Sequence, residues 1–479
     1  MSGVGRPTVS ALTALIVAGC TVGPDYHPPA LPAGSQSPLV NISPDIETAA
    51  DTPDAWWRLY SDPRLDAFIR EAFRANRDIA AAQANLASAR AVLDEARAGR
   101  LPDTDVHLSG TYGRDPVTDE ILELGGNRPR TTWILEDILS LTYELDLFGH
   151  VTREIEEAKD EAEAAAAARD TLRAAVAAET ARAYVQICTL GIELSVAKQS
   201  ADVTAHEAQI TSDRHDAGAN SLFDVVRSQG LAASTKAEIP ELDGERKITL
   251  YELTALLGRT PQNAPVEALD CASAPQLAGR IPVGNGASLL RRRPDVREAE
   301  RELAAATAGI GVATADLYPR ISLTGFYGGV GANLPSLSKE EGLAWGVGPS
   351  ISWTFPNQSA PRARVRAAEA GSRAALDHFD SVVLKALQET EQALVRYRSD
   401  LDSRTSLDLA QAKADTAYRF AHDAFLSGSI STLDVLTSEE SLVSANSAVA
   451  KSDTAIADDQ IALFQALGGG WMTATEAAK

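Results

Sequence analysis

Internal duplication is the feature that most constrains how this chain folds. LPDTDVHLSGTYG at 101–113 returns in altered form as LYPRISLTGFYGG at 317–329, and AGANSLFDVV at 217–226 returns as SGSISTLDVL at 427–436. The matching segments keep their order at a spacing of about 210 residues, so most of the 479-residue chain is two copies of one unit. Each copy has the pattern of a helix, a hairpin, a long helix, a turn and a second helix.

The predicted hairpin strands alternate apolar and polar residues. Val106 and Leu108 share one face of the first strand, and Trp345 and Val347 share one face of the last. Strands of about ten residues with one apolar and one polar face fit two surroundings. One is a soluble sheet that covers a core, and the other is a membrane barrel with lipid outside and water inside.

The helices that follow the hairpins are unusually long. Residues 150–216 and 360–427 contain few helix breakers, and at 1.5 Å per residue each helix reaches roughly 100 Å. Small and apolar residues of the first recur near every 3.5 positions and predict a coiled-coil seam: Leu172, Val176, Ala183, Ile187, Leu190, Leu194, Ala197 and Ala201. The helices alone would indicate a solvated coiled-coil rod.

A solvated rod gives four amphipathic strands no role. Four strands leave two open edges, which a membrane does not tolerate, so a barrel requires several chains. Two chains would supply eight strands, whose interior is normally filled by side chains. Three chains would supply twelve strands with room for an opening. The duplication therefore favours a barrel that several chains share.

Composition and motifs exclude several function classes. The formal charge of −22 argues against a nucleic-acid partner. The chain lacks G-x-S-x-G, HExxH and a phosphate-binding loop, so we expect no enzyme. Its histidines and cysteines show no ligand spacing, so we expect no metal or cofactor site. Cys188 on a predicted helix and Cys271 in a predicted linker are either free or paired, and the sequence leaves both states open.

The N-terminal segment predicts export and a lipid anchor. Val9–Gly19 is a short apolar run of the kind found in secretory signals, and it ends at Cys20. VAGC at 17–20 resembles a bacterial lipobox, which implies that Cys20 is lipidated and becomes the mature N-terminus. Thr21 follows where aspartate would favour retention in the inner membrane, so the resemblance implies sorting to the outer membrane.

Four more motifs resemble the TolC-type outer-membrane factor family, in its branch of NodT-like lipoproteins of RND efflux systems. They are GPDY at 23–26, RRPDVREAE at 292–300, GIGVATADLYPRISLTG at 309–325 and ALGGGW at 466–471. The resemblance implies a mainly α fold with a β-barrel part. Three chains would form a 12-stranded outer-membrane barrel that continues into a 12-helix periplasmic coiled-coil tunnel.

The resemblance also divides the chain. We expect a signal peptide at 1–19, a lipid-anchored tether at 20–60 and a C-terminal tail at 472–479. The first repeat would span 61–262 with its hairpin at 103–148, and the second 287–471 with its hairpin at 320–355. Residues 263–286 would link the repeats.

An arginine run and a pair of glycines have structural rather than ligand-binding interpretations. Arg291, Arg292 and Arg293 precede Pro294 and Asp295, so we interpret them as the start of a helix rather than an anion site. Gly309 and Gly311 follow no strand, so we interpret them as close-packing positions rather than a nucleotide loop.

The helix turns at 216–222 and 426–433 would form the periplasmic tip that closes the resting channel. Relatives often carry acidic residues in the second turn, whereas this chain has Ile430 and Ser431 there. The candidate residues of the tip and gate are Asp216, Asn220, Asp224, Asp423, Ile430, Thr432 and Asp434. For the aspartates near helix ends, capping or solvation is the competing interpretation.

The predicted function is the exit duct of a tripartite RND-type efflux system for small molecules. The predicted partners are two further copies of the chain, a periplasmic adaptor, an inner-membrane RND pump and outer-membrane lipid. A duct for type I protein secretion is the alternative within export. A periplasmic coiled-coil scaffold lipoprotein is the alternative from another class.

Overall fold

The computed structural model describes residues 21–48, 50–114, 131–271, 273–277, 279–340 and 342–471. The predicted lipidation site Cys20, the signal peptide at 1–19 and the tail at 472–479 lie outside the described residues. Contacts divide the chain into two units. The first comprises 1–29, 86–165 and 299–379, and the second comprises 30–85, 166–298 and 380–479.

Helices and strands follow the duplicated order. The helices are α1 Pro63–Ala75, α2 Arg77–Ala98, α3 His150–Asp216, α4 Leu222–Leu256, α5 Gly286–Arg292, α6 Pro294–Ala315, α7 Leu334–Leu337, α8 Ser359–Leu426 and α9 Thr432–Ala466. The strands are β1 Ile46–Glu47, β2 Asp103–Gly113, β3 Thr132–Glu144, β4 Ile281–Pro282, β5 Arg320–Gly331 and β6 Leu343–Ser352. The order α2, β2, β3, α3, α4 thus repeats as α6, β5, β6, α8, α9, with the one-turn helix α7 inserted. The mainly helical fold and both predicted long helices are confirmed.

The first unit contains a four-stranded antiparallel sheet in the order β2-β3-β5-β6. Val106, Leu139, Tyr327 and Trp345 lie directly opposite one another across the four strands, so one row of the sheet is apolar from edge to edge. Tyr327 is 61% exposed and Trp345 is 70% exposed within the chain. The predicted alternation is therefore present, and no core formed by the described residues covers its apolar face.

The second unit holds the large core. Trp56 is fully buried and stacks on Phe464 with ring centroids 4.8 Å apart. The predicted seam of α3 contributes Val176, Ala183 and Ile187 to the same buried cluster. The seam prediction is thus confirmed on this part of α3, where the side chains pack inward. No described helix is long and apolar enough to cross a membrane.

The packing interpretations also hold. A Cβ atom on Gly311 would lie 2.7 Å from the Arg153 side chain, and one on Gly309 would lie 3.1 Å from Glu157. Both glycines therefore permit close approach of side chains from α3. Pro294 begins α6 as predicted, but the three arginines end the preceding helix instead of starting one: Arg291 and Arg292 lie in the last turn of α5, and Arg293 is its C-terminal cap.

A disulfide joins Cys188 on α3 to Cys271, which follows α4, across 83 residues of sequence. The sequence left this pairing open because the distance between the two thiols depends on how α3 and the linker pack. Cys188 is fully buried within the core cluster. The disulfide therefore fixes the linker to the middle of α3.

We expect Cys271→Ser to lower the stability of the second unit by about 2–4 kcal/mol, because the open chain gains conformational entropy when it unfolds. Thermal melting of the detergent-solubilised protein measures the change. The Cys188→Ser/Cys271→Ser double variant is the control, and it should melt close to the single variant. A single variant that melts like the native protein would contradict this role of the disulfide.

Candidate functional site

Two five-residue turns connect the long helices of the second unit, and they have the same backbone geometry. After α3, Gly218 has a φ of 77°, and Ala219 N donates to Arg214 O at 2.7 Å. After α8, Gly428 has a φ of 75°, and Ser429 N donates to Ala424 O at 2.8 Å. Glycine is favoured at both positions because other residues avoid positive φ. The duplicated motif thus encodes two equivalent helix ends.

The helices that leave the turns begin with equivalent caps. Ser221 and Asp224 form a capping box at the start of α4, and Ser431 and Asp434 form one at the start of α9. The Ser431 hydroxyl donates to Asp434 Oδ2 at 2.7 Å, and the Ser431 N–H donates to the same oxygen at 3.1 Å. These hydrogen bonds hold the pKa of Asp434 below its usual value. Asp224 and Asp434 therefore have a structural role in starting helices.

The other candidate residues surround the same turns. Asp216 ends α3, and Asp423 lies in the last turn of α8; both are exposed. Ile430 is half-buried, and Thr432 is buried at the first position of α9. The amide nitrogen of Asn220 is buried without a hydrogen-bond partner in the described part of the chain.

Arg214 joins the two turns, and no sequence pattern had indicated this residue. Its Nη1 donates to the Phe425 carbonyl at 2.9 Å, and its guanidinium lies 4.2 Å from the centroid of the Phe425 ring. A carbonyl at the end of α8 is thereby satisfied by a cation from the end of α3, and the cation also stacks on an aromatic ring. The two turns that the duplication predicted as separate motifs form one site.

Buried charge lies next to this site. Glu207 on α3 and Glu439 on α9 are each only 1% exposed. Sequence reasoning missed both. Glu439 follows Val435 and Leu436 at helical spacing, and this charged residue on an apolar face was the available signal. Glu207 lies one residue before position 208, where the α3 seam continues, so the seam did not indicate its burial. Among the described residues, no cluster of three or more potential ligands is arranged to hold a metal ion.

Comparison with known proteins gives consistent results. The sequence model of the family described as "Outer membrane efflux protein" matches residues 68–259 and 286–469. Nodulation protein T of Rhizobium leguminosarum bv. viciae is 30% identical over 468 residues, which cover 96% of this chain and 93% of that protein. Cation efflux system protein CusC of Escherichia coli O157:H7 is 26% identical over 466 residues, covering 96% and 97%. Among solved structures, the outer-membrane channel OprN matches with a TM-score of 0.86 at 32% identity, covering 94% of this chain and 100% of the OprN chain.

Proposed function

Because the chain belongs to the outer membrane efflux protein family, we propose that three copies assemble into one exit duct. The protein is an outer-membrane channel of a tripartite efflux system and not an enzyme. In our proposal each sheet supplies four strands of a twelve-stranded barrel. The helices α3, α4, α8 and α9 of each chain line a periplasmic tunnel of twelve helices, and the paired turns close its end.

The exposed apolar row of the sheet carries this proposal. Tyr327 and Trp345 are large apolar side chains that stay exposed in the part of the chain that the structure describes. Within the described sheet, β2 and β6 each pair along one edge only. An open edge in lipid leaves backbone N–H and C=O groups without partners at a cost of several kcal/mol each. Pairing β6 of one copy with β2 of the next satisfies these groups, and three copies close the ring with an open interior.

Lipid anchoring is part of the proposal. A lipidated Cys20 would hold the mature N-terminus in the outer membrane, and Thr21 and Val22 then lead into the described chain. Val22 N donates to Phe148 O at 3.2 Å, and Arg153 Nε donates to Val22 O at 3.1 Å. These bonds fix the first described residues to the sheet-containing unit, which is where an anchor at residue 20 is needed.

We expect Cys20→Ser to abolish incorporation of labelled palmitate into the protein. Thr21→Ser keeps the lipobox cysteine and is the matched control, so its labelling should remain. Insertion of the channel should persist in both variants, because the apolar face of the sheet supplies its own affinity for lipid. Unchanged labelling of Cys20→Ser would contradict lipidation at this residue.

The remaining partners follow from the tripartite role. We propose that a periplasmic adaptor and an RND-type inner-membrane pump complete the assembly and that the pump selects the cargo. The names of the relatives refer to different cargo: CusC is a cation efflux protein, and TtgC of Pseudomonas putida is a toluene efflux pump protein. A common outer-membrane fold in proteins named for different cargo is consistent with selection of the cargo by the pump.

The closed state of the channel depends, in this proposal, on a constriction at the paired turns. Ile430 is half-buried beside the capping box of α9, where an acidic residue was expected from the family. We propose that this apolar side chain contributes to a constriction that excludes water when the turns converge on the trimer axis. A narrow apolar ring closes a pore by dewetting.

We expect Ile430→Asp to hydrate the constriction and to raise single-channel conductance and cation preference in planar bilayers. Asp434→Asn is the comparison, because it removes a carboxylate while leaving Ile430 in place. A larger effect of Asp434→Asn would indicate a ring of carboxylates instead of an apolar gate. Both trimers should be matched for melting temperature. If neither substitution changes conductance or selectivity, the gate does not lie at these turns.

A further inference from the structure

Two buried carboxylates lie within about three helical turns of the paired turns. Glu207 on α3 and Glu439 on α9 are each 1% exposed. All four of their carboxylate oxygens lack a hydrogen-bond partner among the residues that the structure describes. Burying a carboxylate without donors is costly when it is ionised and much less costly when it carries a proton. The packing of the helices is therefore sensitive to the protonation of these groups.

The surroundings of Glu439 do not favour a negative charge. Glu207 faces it from α3 and Glu440 lies beside it on α9, and both carboxylates oppose its ionisation. From α8, Asp415 and Arg419 line the same 530 Å³ cavity as Glu439, but these two residues form an ion pair with each other. Burial is the largest cause, and together with the two neighbouring carboxylates it raises the pKa of Glu439 to about 8.

Tyr418 and Arg227 are two further charged or titratable groups near Glu439 and Glu440. Tyr418 on α8 lines the same cavity, and burial raises the pKa of its hydroxyl well above the usual range. Arg227 on α4 lies 3.9 Å from Glu440 Oε1, so its charge is directed to the exposed neighbour. Neither group supplies a hydrogen bond to Glu439 in the described structure.

Glu207 has one basic side chain at close range. His422 Nδ1 on α8 lies 3.3 Å from Glu207 Oε2, although the contact lacks hydrogen-bond geometry. His206 and Arg214 are the other basic groups near it on α3, and Arg214 Nη1 donates to the Phe425 carbonyl instead. Burial raises the pKa of Glu207, and the three basic groups oppose this shift only in part. The contact between His422 and Glu207 therefore links α8 to α3 beside the buried carboxylate of Glu439.

We propose that Glu207, His422 and Glu439 form a proton-operated clasp that holds α3, α8 and α9 together in the closed state of the tip. This inference rests on the proposed gate at the paired turns. Separating the three helices would expose Glu439 to water, where its carboxyl ionises and releases a proton. Opening would therefore be coupled to proton release, and closing to proton uptake.

The sign of the pH dependence follows from the two protonation equilibria of Glu439. A hydrated glutamate has an ordinary pKa near 4.5, and the packed carboxyl has a pKa of about 8. Below the ordinary pKa both arrangements hold the proton, and the clasp has its full stability. As the pH rises between these two pKa values, the ratio of separated to packed helices rises by up to about tenfold per pH unit. Above the pKa of the packed carboxyl, both arrangements are ionised and the ratio of separated to packed helices no longer changes.

The first test uses the full-length trimer in planar bilayers at pH 5.5 and 7.5. We expect the ratio of open to closed channels to rise at least about tenfold across this interval. Glu439→Gln keeps the shape of the side chain but cannot ionise, so it should remove this rise and keep the channel closed. Glu440→Gln, at the adjacent exposed position, is the comparison and should retain most of the rise, because it removes only one of the carboxylates that oppose ionisation of Glu439. A Glu439→Gln channel with the native pH dependence would overturn the proposal.

The second test does not require a conducting channel. Melting temperatures of the detergent-solubilised protein should fall between pH 5.5 and 7.5, and Glu439→Gln should show a smaller fall than Glu440→Gln. Equal falls in the two variants would overturn the clasp, even if the protein conducts. Absence of conductance in every variant would instead count against the proposed gate, and the melting comparison would still decide whether Glu439 is protonated when packed.

Discussion

Val347→Lys is expected to abolish assembly of the folded trimer in the outer membrane. Val347 lies in the middle of β6 on the apolar face and is 71% exposed within the chain. In the proposed barrel it faces lipid, where a lysine near the bilayer centre costs about 2–4 kcal/mol. Each trimer carries three copies of the substitution, so this free-energy cost is paid three times per trimer. The fraction of protein recovered as a membrane-embedded trimer on semi-native gels measures the effect.

Ser350→Lys is the matched control on the same strand. Ser350 is three residues from Val347 and therefore belongs to the opposite face, and its strand partner is Ser322 on β5. That face would line the water-filled interior, so the added charge should alter ion selectivity and leave assembly intact. If Val347→Lys assembles as well as Ser350→Lys, the apolar face does not meet lipid.

Arg293→Met should destabilise the second unit by about 2–4 kcal/mol, because two charge-assisted hydrogen bonds and one to a carbonyl are lost. The Arg293 guanidinium is buried and donates to Asp295 Oδ2 at 2.6 Å, to Glu389 Oε2 at 2.8 Å and to the Ala466 carbonyl at 2.9 Å. Methionine fills a similar volume but leaves two carboxylates and the last carbonyl of α9 without this cation. The Asp295 and Glu389 side chains keep 29% and 38% exposure, so the loss comes from the hydrogen bonds of the buried Arg293 guanidinium rather than from fully buried charges left unpaired.

Arg292→Met is the neighbouring control. Arg292 forms a partly exposed ion pair with Asp54 at 3.2 Å, and such pairs contribute about 1 kcal/mol or less. Thermal melting in detergent compares the two variants, and Arg293→Met should have the lower melting temperature. Equal melting temperatures would show that the Arg293 cluster contributes no more than a surface pair.

Much of the fold could be predicted because it depends on local periodicity. The period of two in β2 to β6 and the period near 3.5 in α3 are visible in the sequence, and the duplication gave each prediction a second copy. The turns after α3 and α8 were predictable because Gly218 and Gly428 precede capping serines at the same spacing. Each of these features is determined by residues that are close to one another in the sequence.

The remaining features depend on which distant residues meet. The partner of Cys188 is 83 residues away, and the bond from Arg214 to Phe425 spans 211 residues. The spacing of Glu439 from Val435 and Leu436 indicates an inward position, but the packing of α3, α8 and α9 is what shows that its carboxylate is buried. Single-sequence patterns carry no information on such contacts. The candidate gate could therefore be placed at two turns, but its buried charges could not be identified.

The mass and conductance of the purified protein test the central claim most directly. A protein that closes a barrel from four strands per chain should run in detergent as a species of three protomers and should raise the conductance of planar bilayers in discrete steps. Native mass spectrometry and bilayer recording on the same preparation provide both values. A monodisperse monomer that leaves the bilayer conductance unchanged would contradict the shared barrel.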